Sequence, residues 1–63
     1  MHAVEIKYQN GRHVDYARNS SGKIRSFATK ESAEYFADTI NSMIGPDLVK
    51  KFPRYVYVDL RNN

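Results

Sequence analysis

The chain has 63 residues, with 10 Lys plus Arg against 7 Asp plus Glu, a formal net charge of +3, and neither Cys nor Trp. That length leaves room for one domain, residues 1–63, with a small core. With no Cys, disulfides and thiolate metal sites are excluded, two of the usual supports for a chain this short.

The charge is mildly basic, and the acids Glu5, Asp15, Glu31, Glu34, Asp38, Asp47 and Asp59 are spread along the chain. A dedicated DNA binder instead gathers Lys and Arg on one face. Hydrophobic residues make up 41% of the chain, too many and too regularly placed for disorder. No apolar run approaches a membrane span, and residues 1–7 carry no apolar segment of a secretory signal. The expectation is a cytoplasmic chain without membrane contact.

Residues 2–9 alternate, with His2, Val4, Ile6 and Tyr8 on one face and Ala3, Glu5, Lys7 and Gln9 on the other, which predicts a half-buried strand. Asn10-Gly11 signals a hairpin, and residues 12–18 alternate again around Val14 and Tyr16. A two-residue turn would set Ile6 opposite Asp15 and mix the faces. A three-residue loop, Gln9-Asn10-Gly11 with Gly11 left-handed, pairs Tyr8 with Arg12, Ile6 with Val14 and Val4 with Tyr16. A slip of one residue inverts every side chain, so the second register is expected.

Asn19-Ser20-Ser21-Gly22 is a second turn cluster. Residues 23–28 predict a third strand, but Ile24 and Phe27 lie three apart and cannot share a face of a regular strand. Either a bulge intervenes or Phe27 packs at the entrance of the following helix. Thr29 is a good N-cap, with Glu31 in the first turn. Ala33, Phe36, Ala37, Ile40, Met43 and Ile44 recur at helical spacing, which predicts a helix over 30–44. Gly45 is placed to end it and Pro46 prevents continuation. Residues 47–52 read as a connector, with Leu48, Val49 and Phe52 available to cap the core. Pro53 opens a last strand, 54–60, in which Val56, Val58 and Leu60 alternate with Tyr55, Tyr57 and Asp59.

The order is β-β-β-α-β, an α+β domain: a mainly antiparallel sheet with one helix packed on one face. The last strand is expected beside the first and parallel to the third, in the spatial order 4-1-2-3. With the valines turned inward, the helix-free face would carry Tyr55, Tyr57, Glu5, Lys7, His13 and Asp15, with Arg25 at its margin.

Chemistry-bearing constellations are sparse. His2 and His13 fall on opposite faces, and no His or carboxylate spacing matches a metal site. There is no Gly-rich phosphate loop, and Glu5 and Asp15 on a flat wet surface lack the enclosure that tunes an acid–base pair. No enzyme, metal or cofactor is therefore expected. Aromatics on an open sheet suit a protein interface, and they also suit stacking of single-stranded nucleic acid. The interleaved carboxylates weigh against phosphate binding. Lys50-Lys51 with Arg54 is the densest basic cluster. The expected contact residues are Tyr55, Tyr57, Arg54, Lys50, Lys51 and Arg25. If the last strand lies at an edge, its backbone is also a template for strand addition or a homodimer.

The segment Phe27-Ala28-Thr29-Lys30-Glu31-Ser32-Ala33-Glu34-Tyr35-Phe36-Ala37 resembles one seen in many short phage proteins, where a meander of strands, often closed by Asn-Gly turns, leads into a helix start of the type F-x-T-K-E-x-A. Over roughly residues 2–44 the chain is similar to small early proteins that phages of Gram-positive bacteria use to redirect the host. The resemblance implies a non-enzymatic protein that binds and inhibits a host machine: RNA polymerase, a Clp-type unfoldase, a replication factor or a CRISPR nuclease. Acidic DNA mimicry, common among such inhibitors, does not fit a basic chain.

Overall fold

The structure, a computed structural model, describes residues 1–45 and 52–61. Strands β1 (His2–Lys7) and β2 (His13–Tyr16) precede helix α1 (Lys30–Ile44) and strand β3 (Arg54–Asp59). The strands form one sheet in the order β2-β1-β3, with both outer strands antiparallel to β1. The helix packs on β3 and β1. This is the expected α+β arrangement, with the last strand beside the first. The four-strand order 4-1-2-3 is not formed, because residues 23–28 make no continuous strand.

The tip of the first hairpin has the expected three-residue loop. Tyr8 N–H donates to Arg12 O and Gly11 N–H to Tyr8 O, each at 2.9 Å, and Gly11 takes φ 90°. Asn10 Oδ1 accepts from Arg12 N–H at 2.9 Å, so the asparagine side chain ties the turn. The register then departs from expectation. Lys7 pairs with His13, but Ile6 pairs with Asp15 and Glu5 with Tyr16, so Val14 is an extra residue in a bulge. Val14 is 46% exposed. The bulge has a physical reason: it brings small Ala17, rather than bulky Tyr16, opposite Val4, with Ala17 N–H donating to Val4 O at 2.9 Å. The helix therefore has room to approach β1.

The predicted third strand is reduced to two isolated bridges, Arg18 with Ile24 and His2 with Phe27. Residues 19–23 repeat the loop construction of the first hairpin: Gly22 N–H donates to Asn19 O, Asn19 N–H to Lys23 O, and Gly22 has φ 81°. The chain then returns to the edge of β1. Ala17 N–H donates to Val4 O and Phe27 N–H to His2 O, so Phe27 takes the next position along β1 after Ala17. A short hairpin has been inserted into a single strand line. This resolves the conflict between Ile24 and Phe27: Ile24 belongs to the inserted hairpin, and Phe27 packs at the helix entrance, its ring centroid 5.2 Å from that of Phe36. Phe27 and β3 are both antiparallel to β1, so the helix joins two segments running in the same direction.

The core is built on small residues. Val4, Ala17, Ala33 and Ala37 are buried, with Phe27, Phe36, Tyr55 and Tyr57 packed around them. The last two names correct an expectation. Val4 pairs with Tyr57 and Ile6 with Tyr55, so both tyrosines lie under the helix, while Val56 and Val58 share the helix-free face with Glu5 and Ala3. Alternation alone offered two apolar faces in this strand. Ala33 and Ala37 let the helix come close over Val4, and the wedge left toward the sheet edge takes rings rather than valines. Tyrosine suits that place, with an apolar ring inside and a polar tip at the rim. Tyr57 Oη lies 2.9 Å from His2 Nδ1, and Lys30 Nζ sits 5.4 Å from the Tyr57 ring centroid. Met43, expected in the buried stripe, is 80% exposed.

The helix ends match the reading of the sequence. Thr29 is extended (φ −136°, ψ 160°), and its Oγ1 accepts from Ser32 N–H at 3.1 Å. Gly45 N–H donates to Asn41 O at 3.2 Å with φ 79°, a conformation that favours glycine. Thr29→Ala should cost about 1 kcal/mol. In a domain of this size that lowers the melting temperature by about 4–8 °C, readable by circular dichroism. Leu48 and Val49 of the expected connector lie outside the described residues.

Candidate protein-binding groove

The helix-free face differs from the one expected. Its centre is Glu5, with Tyr16 and Val56 opposite it on the two neighbouring strands. His13 Nδ1 lies 2.8 Å from Glu5 Oε2, and the His13 and Tyr16 ring centroids are 4.8 Å apart. These two residues are three apart in sequence yet share a face because of the Val14 bulge. Asp15 is on the opposite side, paired with Ile6, so Glu5 and Asp15 are not neighbours on one surface. Arg18 Nη2 donates to Asp15 Oδ1 at 3.1 Å and Tyr16 N–H donates to the same oxygen at 2.7 Å. These bonds, Arg18 first, hold the Asp15 carboxyl below its ordinary value. Arg18 Nη1 also donates to Gly22 O at 2.8 Å, tying the inserted hairpin to β2. The Asp15–Arg18 pair is thus a local brace. Among the described residues no cluster of His, Asp and Glu has the make-up of a metal site.

A broad, open apolar surface lies on the flank of α1 facing the inserted hairpin. A groove of about 700 Å³ runs between Phe27 and the helix, lined by Arg25, Tyr35, Phe36, Thr39 and Ile40, with Glu31 and Ser32 at its helix N-terminal end. Its formation follows from the chain path. The helix sits over β1 and β3, and Phe36 packs between Phe27 and Tyr55, its ring centroid 5.2 Å from the first and 6.4 Å from the second, so that its outer edge and Ile40, one turn on, form the groove wall. Tyr35 is 76% exposed at the rim, and Met43 continues its line two turns on. The Arg25 guanidinium lies 5.2 Å from the Phe27 ring centroid and 4.9 Å from that of Phe36. Resting on two aromatic faces, it is positioned at the groove wall while its N–H groups have no hydrogen-bond acceptor among the described residues.

The expected contact residues are not brought together. Arg25 lines this groove. Arg54 is exposed at the start of β3, beside Lys7, Tyr8 and Val56 and bordering Asp38 and Asn41 of the helix, and does not line this groove. Tyr55 and Tyr57 are packed under the helix. Lys50 and Lys51 lie outside the described residues. The sequence reading missed Tyr35, Phe36, Ile40 and Phe27 as a surface, having assigned Phe36 and Ile40 wholly to the core. A signal was present: Tyr35 and Met43, spaced i and i+8, widen the apolar arc of the helix beyond what one small sheet can cover.

No helix among the described residues is long and apolar enough to cross a membrane. Comparison with family models, curated proteins and solved structures finds no match, so the reading of function rests on these residues and their geometry.

Proposed function

We propose that the chain is a non-enzymatic protein-binding domain that modulates a larger protein by seating one of its apolar, acid-bearing segments in the α1 groove. The observation that carries this reading is the pairing of an unfilled aromatic groove with a cation fixed at its wall by Phe27 and Phe36. Tyr and Arg are favoured anchors of protein interfaces, and a carboxylate on the partner would complete the donors of Arg25. The resemblance to phage early proteins supports a host protein machine in the bacterial cytoplasm as the partner. The alternative, single-stranded nucleic acid, loses its main support, because the two tyrosines meant to stack bases lie under the helix and Glu5 occupies the centre of the helix-free face.

The test is an affinity pull-down from bacterial lysate, halved with and without nuclease and read by mass spectrometry. Tyr35→Ser combined with Arg25→Glu serves as the control chain, both positions being exposed. A host protein should be held in both halves by the native chain, and its affinity should fall at least tenfold with the control, which should keep its circular dichroism spectrum. A hot-spot residue is worth about 2 kcal/mol or more, which sets that factor. Undiminished capture by the control chain, or loss of every partner after nuclease, would overturn the proposal.

A further inference from the structure

The second unpartnered surface is the outer edge of β3, and its hydrogen-bonding groups are not equally open. Alternate residues of an edge strand point their N–H and C=O groups outward together. Leu60 N–H donates to Met1 O at 2.8 Å, so 54, 56, 58 and 60 face β1 while 55, 57 and 59 face outward. At Tyr55 the outward groups are taken: its N–H donates to Asn41 Oδ1 at 2.9 Å and its C=O accepts from Asn41 Nδ2 at 2.8 Å. The carboxamide of Asn41 stands in for a neighbouring strand. The outward groups of Tyr57 and Asp59 have no hydrogen-bond partner among the described residues.

We propose that this edge pairs with the same edge of a second copy, antiparallel, about a two-fold axis at Val58. The register follows by elimination. An axis at Tyr57 or Val56 would need the outward groups of Tyr55, which Asn41 holds. An axis at Asp59 would set two Asp59 carboxylates directly opposite each other, which is unfavourable. With the axis at Val58, Tyr57 of each copy exchanges both backbone bonds with Asp59 of the other. On the helix-free face Val58 meets Val58, and Val56 meets Leu60. On the helix face the charges are complementary. A shallow groove of about 400 Å³ separates β3 from α1, with Lys30, Glu34 and Asp38 on its helix wall. Lys30 lies beside Tyr57 and would face Asp59 of the second copy, joining the Met1 ammonium (3.2 Å) and Arg61 (3.8 Å) that already flank that carboxylate within its own chain. Glu34 and Asp38 share this groove with Arg54 of their own chain and would also face Arg61 of the second copy. The two sheets then form one continuous sheet with both helices on the same side. A pairing this short is at the small end of specific interfaces, so the dimer dissociates on dilution.

The experiment is sedimentation velocity over a concentration series, with amide hydrogen exchange at both ends of the series. Two variants are compared with the native chain. Asp59→Pro removes an outward donor at a strand end, where proline is tolerated, together with the exposed carboxylate that accepts from the Met1 ammonium at 3.2 Å. Lys30→Glu places an acid in the first helical turn, where it favours the helix, so the fold is kept. The native chain should dimerise as concentration rises, with the Tyr57 and Asp59 amides becoming protected. Each variant should raise the dimer dissociation constant at least tenfold. A native chain that stays monomeric into the millimolar range overturns the proposal. So does a dimer in which the amides of Tyr57 and Asp59 exchange as freely as in the monomer, which would place the contact elsewhere.

Discussion

Ala37→Leu should destabilise this domain more than any substitution of comparable size on its surface. Ala37 is 3% exposed and Ala33 is fully buried, and both face Val4, the largest fully buried side chain. The helix can approach the sheet because nothing larger than a methyl group stands between them. Leu and Ala have nearly equal helix propensity, so the substitution leaves the local preference of α1 unchanged and acts through packing alone. Overpacking a filled core costs about 1–3 kcal/mol. A small domain has little stability to spare, and each kcal/mol shifts its melting temperature by about 4–8 °C. Thermal unfolding followed by circular dichroism should therefore show a fall on the order of ten degrees, or a broad transition without cooperativity. Tyr35→Leu, at the exposed rim of the groove, should change stability by no more than about 0.5 kcal/mol. If Ala37→Leu melted like the native chain, the helix would not sit as close to β1 as its buried alanines place it.

The same small residues explain what could and could not be read from the sequence. The helix and both of its ends were legible, because capping by Thr29 and termination at Gly45 depend on residues next to one another in the chain. The tip of the first hairpin was legible for the same reason, since Asn10 and Gly11 satisfy its backbone locally. The register beyond the tip was not. It depends on Ala17 having to lie opposite Val4 so that a helix far along the chain can fit, and the bulge at Val14 is the consequence. The face of β3 was hidden in a similar way. Tyr55–Tyr57 and Val56–Val58 are equally regular alternations, and the choice between them is made by pairing with β1 and by Asn41 reaching across from α1. With the tyrosines drawn under the helix, the expected contact surface dissolved, and apolar residues of the helix flank took its place.

The reach of Asn41 leads to the other large effect. Asn41→Ala should lower stability by about 1–3 kcal/mol, since two hydrogen bonds of about 0.5–1.5 kcal/mol each are lost. Alanine returns part of this through its better helix propensity, at most about 0.7 kcal/mol. The loss should be accompanied by a local signature that a general loosening would not give. The Tyr55 amide, bonded only to the Asn41 side chain, should become one of the fastest exchanging in β3, while the inward amides of Val56 and Val58 keep their protection. Asn41→Asp separates the two bonds. An ionised carboxylate still accepts from Tyr55 N–H, but it has no donor for Tyr55 C=O and sets charge against it. Its Tyr55 amide should therefore stay protected near neutral pH while overall stability falls. Uncapping the edge in Asn41→Ala also frees the register centred on Tyr57, so this variant should associate more strongly than the native chain at equal concentration. If Asn41→Ala left both the melting temperature and the Tyr55 exchange rate unchanged, the carboxamide would not be what closes this end of the sheet. The edge of β3 would then be open along its whole length.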